Sequence, residues 1–229
     1  MNEMKTLRFL ALTQALLTCG CGPSNPTVKA IIGATLIDGT GAPAIPDCVV
    51  IVNGNDIQAV GSRGSVKIPA DAKEYSATGQ FLVPGLIDVR TSLPSDAAKA
   101  APVLRAMVKA GITTVGVADG GPAQRDASPR LLPAGAQMAG FADLVIASGG
   151  SSADAYFKKI ERMAKAEVAP IQILGAATKN GAEWLKQDRL GVIAAGRKAD
   201  LILLEADPLR DIRNLKKVKR VMVDGAWIQ

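Results

Sequence analysis

Both ends of this 229-residue chain consist of short apolar segments cut by turn residues, while the stretch between them alternates apolar runs with helical patterns. At the front, Ala30 to Ile37, Val49 to Val52 and Ile57 to Val60 are separated by Asp38-Gly39-Thr40-Gly41 and Asn53-Gly54-Asn55. Asn-Gly and Asp-Gly readily adopt the positive φ of tight hairpins, so this punctuation predicts antiparallel strands. At the far end Ala199 to Leu204 reads as a strand, and Val218 to Val223 pairs with Trp227-Ile228 across Asp224-Gly225. In the middle, apolar runs at Ile112 to Val117 and Leu144 to Ala147 alternate with helices, the signature of βα units and a parallel sheet. One helix is expected within Ser95 to Ala110, with Ser95 as a candidate N-cap and Gly111 as its stop. A second is capped by Ser152 and puts Tyr156, Phe157, Ile160, Met163 and Ala164 on one face, and a third runs from Pro170 through Leu185.

Composition narrows the function. Aromatic residues make up 3% of the chain against 48% hydrophobic overall, so the core is aliphatic and few rings remain to stack on bases. No nucleic-acid partner is expected. The net charge of +6 has one dense patch, Arg210, Arg213, Lys216, Lys217, Lys219 and Arg220, opposed nearby by Asp211, and it reads as a solvated face beside a strand. The chain contains no histidine, which excludes a Ser-His or Cys-His nucleophile pair. Cys48 would be the single cysteine of the folded body, so a buried small residue is expected there and no disulfide framework.

Met1 to Cys21 has Lys5 and Arg8 near its front and an apolar run from Phe9 to Leu17, too short for a bilayer span of roughly 20 residues. This reads as an export signal over residues 1–21. Cys21, preceded by Gly20, resembles the lipidated cysteine of bacterial lipoproteins and is the better processing candidate than Cys19. Residues 22–28 then form a short tether. The expected location is exported, periplasmic or held at a membrane by a lipidated N-terminus.

Several ordered motifs carry a family likeness: Gly33-Ala34-Thr35-Leu36-Ile37-Asp38-Gly39-Thr40-Gly41, Val83-Pro84-Gly85-Leu86-Ile87-Asp88 and Ala110-Gly111-Ile112-Thr113-Thr114-Val115. Asp188-Arg189-Leu190-Gly191, Gly196-Arg197-Lys198-Ala199-Asp200-Leu201 and Asp207-Pro208-Leu209 continue it. Together they resemble the metal-dependent amidohydrolase superfamily, in its imidazolonepropionase-like and Xaa-Pro dipeptidase branch. The resemblance implies an α/β plus β fold, with residues 29–84 and 188–229 forming one composite β-sandwich. Residues 85–187 would be the inserted (β/α) barrel. A closed barrel takes about 200 residues or more, and this stretch is about half of that. An incomplete, TIM-barrel-like unit of about four strands is expected, resembling the family's first four.

The family's activity is metal-dependent hydrolysis of carbon-nitrogen bonds in amides, cyclic imides or dipeptides, by a metal that lowers the pKa of a bound water. Its first barrel strand normally ends Gly-Leu-Ile-Asp-x-His-x-His, and the matching positions here are Arg90 and Ser92. A permanently cationic arginine cannot ligate a metal, and a lone serine is a poor ligand. Ala142 to Gly150 resembles the family strand with the metal-bridging lysine, but contains no lysine. The resemblance therefore implies a hydrolase-like protein without catalytic residues, metal or cofactor. Two alternatives stand beside it. One is an exported binder of a small anion, with Arg90 and Ser92 joined by Gly149, Gly150 and Ser151, whose backbone N–H groups precede a helix. The other is a structural or interaction lipoprotein that self-associates to cover open sheet edges.

Overall fold

The computed structural model describes residues 28–117, 129–133 and 145–228. Five strands come first: β1 (Val28–Leu36), β2 (Ile45–Asn53), β3 (Asp56–Ser62), β4 (Lys73–Ser76) and β5 (Phe81–Pro84). Three more, β9 (Leu201–Leu204), β10 (Val218–Val223) and β11 (Ala226–Ile228), close the chain. All eight share one sheet in the order β11-β10-β9-β5-β1-β2-β3, with β4 beside the first half of β1. β1 changes partner midway: Lys29 to Ile32 lie parallel to Lys73 to Ser76, whereas Thr35 and Leu36 pair with Phe81 and Leu82. Gly33 sits at the switch with φ of 91°, where a Cβ would lie 2.7 Å from the Thr78 hydroxyl. That backbone is one a side chain strains, so glycine permits the bend.

The two chain ends meet at β5 and β9, paired antiparallel from Phe81 opposite Leu204 to Pro84 opposite Leu201. They meet again where the Ile57 N–H donates to Arg197 O and the Ala199 N–H to Asn55 O, each at 2.8 Å. Tyr75 and Trp227 touch edge-on with centroids 5.4 Å apart, which brings β4 to β11. Ile31, Leu36, Val50, Ile57, Leu82, Leu201, Leu203 and Met222 fill the shared core, which is aliphatic as the composition requires. Cys48 is buried in it as a free thiol, its pKa pushed up to about 11 by burial.

The middle contains β6 (Leu86–Thr91), α1 (Ala97–Lys109), β7 (Ile112–Val117) and β8 (Arg130–Pro133), with β6, β7 and β8 parallel in that order. α1 is capped not by Ser95 but by Asp96, whose carboxylate accepts from the Lys99 N–H at 2.9 Å, and it buries Ala100, Leu104, Met107 and Val108. α2 (Ala153–Lys165) starts at Ser152, whose hydroxyl accepts from the Ala155 N–H, and buries Tyr156, Phe157 and Ile160. The helix expected from Pro170 through Leu185 is instead two, α3 (Pro170–Ala177) and α4 (Lys179–Trp184). Thr178 breaks it at φ −133° and ψ −92°, with its hydroxyl donating to Leu174 O at 2.7 Å. A side-chain hydroxyl that bonds back to the fourth residue before it disturbs a helix in this way.

The fourth strand expected at Leu144 to Ala147 is corrected in kind and in place. Leu144 lies outside the described residues, and Val145 to Ala147 form no regular strand. The segment nevertheless runs parallel to β6: the Val89 N–H donates to Ile146 O at 2.9 Å, the Gly149 N–H to Arg90 O at 2.9 Å and the Ser92 N–H to Gly150 O at 3.4 Å. It thus lies on the side of β6 away from β7, not beyond β8. The segment and β8 thus flank β6 and β7 on opposite sides.

Candidate functional site

The residues singled out in the sequence come together at the C-terminal ends of β6 and the 145–150 segment. The Ser92 hydroxyl donates to Gly149 O at 3.2 Å, across 57 positions of sequence. Arg90 is exposed, and its guanidinium makes no ion pair or hydrogen bond among the described residues. The backbone donors proposed for an anion are a different matter. The Gly149 N–H is committed to Arg90 O, and the Gly150 N–H to the Ser148 hydroxyl at 3.2 Å. Both peptides are held by local pairing, so neither is available to a ligand without breaking it. Ser151 is exposed beside them. Neither of the two cavities described, one of about 660 Å³ and one of about 410 Å³, is lined by Arg90 or Ser92. Cys21 lies outside the described residues.

Asp88, two positions before Arg90, was not legible as a site residue and is the group on which this corner is built. It is fully buried, and its Oδ1 accepts from the Ser148 N–H at 2.9 Å and the Arg90 N–H at 3.2 Å. It therefore ties the 145–150 segment to β6 where regular ladder bonds are missing. Its Oδ2 has no hydrogen-bond partner, and neither has the buried Thr91 Oγ1. Burial raises the Asp88 pKa above the ordinary carboxylate value, and the nearby Ser148 and Thr91 hydroxyls pull the other way without a well-formed bond to Oδ2. A charged aspartate inside an apolar strand is the signal that could have exposed it.

A second buried carboxylate joins the middle to the ends. Arg130, on β8, donates to Asp200 Oδ2 at 2.5 Å and to Asp224 Oδ1 at 2.7 Å. Asp200 also accepts from the Asp224 N–H at 2.8 Å, and burial raises its pKa while Arg130 opposes the rise. Three of the six cations in the basic patch near the C-terminus pair with carboxylates. Arg213 pairs with Asp211 at 2.7 Å, Lys216 with Glu161 at 2.6 Å and Lys219 with Glu205 at 3.5 Å, while Arg220 lies over the Tyr75 and Trp227 rings.

A family metal does not fit these residues. The two positions that would supply the first ligands hold an exposed guanidinium and a hydroxyl bonded to a backbone carbonyl. No group of three or more His, Cys, Asp or Glu suited to a metal exists among the described residues. Asp88, a carboxylate at this corner, is buried and holds backbone N–H groups.

Residues 121–228 match the model of the amidohydrolase family. No curated protein matches the sequence. Among solved structures the chain is similar to a molinate hydrolase, with a TM-score of 0.74 and 13% identity over 89% of this chain and 95% of that one. It is also similar to a putative prolidase from Bifidobacterium longum, with a TM-score of 0.69 and 15% identity over 89% and 95% of the two chains. A Xaa-Pro dipeptidase with bound methionine gives a TM-score of 0.69 at 13% identity, over 88% of this chain and all of that one. At these identities the likeness is one of fold.

Proposed function

We propose, since the chain carries an amidohydrolase-family domain on a hydrolase-like fold, that it is a non-catalytic member which does not hydrolyse carbon-nitrogen bonds through a metal. The observation that carries this reading is the corner at the end of β6. Arg90 and Ser92 stand where the family resemblance expects the first two metal ligands, and the Ser92 hydroxyl is engaged with Gly149 O. Without a bound metal no group here can hold a hydroxide at neutral pH, since bulk water has a pKa of about 15.7 and the site has no histidine base. The residues of this corner instead hold structure: Asp88 gathers two N–H groups, and Ser148 and Ser92 fasten the loop that leads into α2.

The carboxylate-binding alternative is left with Arg90 alone, because the Gly149 and Gly150 donors are engaged. An exposed arginine contributes little to affinity by itself. We therefore favour the third reading, an exported scaffold or interaction protein, tethered through Cys21. Its test is growth with labelled palmitate and Cys21→Ala: the label should vanish in the variant, and retention of label or its absence from the wild type overturns the tether. The non-catalytic reading is tested by metal analysis of the purified protein grown with zinc and manganese, with melting before and after chelation. Sub-stoichiometric metal and an unchanged midpoint are expected, whereas bound metal whose removal lowers the midpoint refutes it.

A further inference from the structure

The 145–147 segment has a second side. Its bonds to β6 run through Ile146 O and, just beyond, Gly149 N–H, while Val145 and Ala147 make no backbone hydrogen bond among the described residues. Val145 and Ala147 flank the Ile146 carbonyl taken by β6, and no described residue pairs with their own peptide groups. Such an edge is a template for another strand. Along it, between the segment and α2, lies the groove of about 410 Å³. Ile146, Ala147, Met163 and Val168 give it an apolar floor, and Lys159 and Arg162 stand on its wall. These two cations are three residues apart on α2 and therefore side by side. Neither has an ion-pair partner among the described residues, whereas their neighbours Lys158 and Lys216 pair with Asp154 and Glu161.

We infer that this edge docks an extended peptide with acidic side chains, which adds as a strand against Val145 to Ala147 and sets its carboxylates against Lys159 and Arg162. Main-chain bonding along the edge supplies affinity, and the groove selects side chains. Charge argues for an acidic partner over a second copy as the occupant, since this chain carries a net charge of +6 and sets two more cations beside the edge. The inference does not depend on whether the chain is catalytic.

The test is fluorescence anisotropy of the full chain with two dye-labelled peptides, Val-Glu-Val-Glu-Val-Glu and its lysine counterpart. Saturable binding of the glutamate peptide alone is expected, weakened about ten-fold or more in Lys159→Glu/Arg162→Glu, where two charge-assisted contacts become repulsions. Because both residues lie on the outward side of α2, the variant should keep the wild-type melting midpoint. A glutamate peptide N-methylated at alternate residues provides a control that needs no variant, and it should not bind. Equal binding of both peptides, indifference to charge reversal or indifference to N-methylation overturns the proposal. So does a concentration-dependent dimer in sedimentation that excludes the peptide, which would assign the edge to a second copy.

Discussion

Removing the Arg130 guanidinium should cost the protein about as much as any single side-chain deletion outside its apolar core. Its two arms differ in worth. The side chain of Arg130 is 20% exposed and that of Asp200 only 5%, so their contact is largely shielded from water. Deleting one member of a buried pair leaves the other charge unmatched, at about 3–5 kcal/mol. The arm to Asp224, which is 42% exposed, adds at most about 1 kcal/mol. Arg130→Ala should therefore lower the urea unfolding free energy by about 3–5 kcal/mol at neutral pH. Part of that loss should return on acidification, because Asp200, already raised by burial, is raised further without its cation and escapes by taking up a proton. Asp200→Asn in the Arg130→Ala background should recover much of it, since Asn Oδ1 still accepts from the Asp224 N–H. A loss under about 1 kcal/mol, or a double variant no more stable than the single one, would refute the assignment of a buried, coupled pair.

Other outcomes follow from the same geometry. Asp88→Asn keeps an oxygen for Ser148 and Arg90 and removes a buried charge; since the folded pKa is raised, the group's contribution is full below the ordinary carboxylate range and is lost as pH rises through the folded value. The variant should accordingly gain on the wild type at neutral pH and lose that advantage in acid, a crossover readable in melting midpoints, whereas Asp88→Ala should lose about 1–3 kcal/mol for each orphaned N–H. Gly191→Ala should destabilise by about 1–3 kcal/mol in the same unfolding assay, because φ is 73° and a Cβ would lie 2.7 Å from Thr178 O. Arg90→Ala should stay within about 0.5 kcal/mol of the wild type, and calorimetric titration with small carboxylates should show no saturable heat in either protein.

The β texture at both ends was legible because Asn-Gly and Asp-Gly turns flank alternating residues; those stretches form strands, and β5 and β9 join them. Ser152 as a cap and the buried face of α2 followed from local chemistry in the same way. The break at Thr178 was not legible, since it depends on a hydroxyl turning back onto Leu174 O and on Gly191 approaching from 13 positions away. Nor was the place of the 145–150 segment: an apolar run announces a strand but not its neighbour, which is set by Asp88 reaching Ser148 across 60 residues. For the candidate site, Arg90 and Ser92 were named by the family resemblance and Gly149 by its place before a helix start, and the Ser92 hydroxyl bonded to Gly149 O puts them at one corner. What it could not show is that backbone donors near a helix start are already engaged, because that depends on which carbonyl or hydroxyl lies opposite each N–H.

The central claim, that a hydrolase-like fold here performs no metal-dependent hydrolysis, is tested most directly by one assay. The purified chain is incubated with a panel of dipeptides, N-acyl amino acids and cyclic imides, with zinc or manganese added, and product is quantified against a buffer blank. The account predicts no release above the blank at any metal concentration. A rate proportional to protein, saturable in one substrate and abolished by a chelator would contradict it.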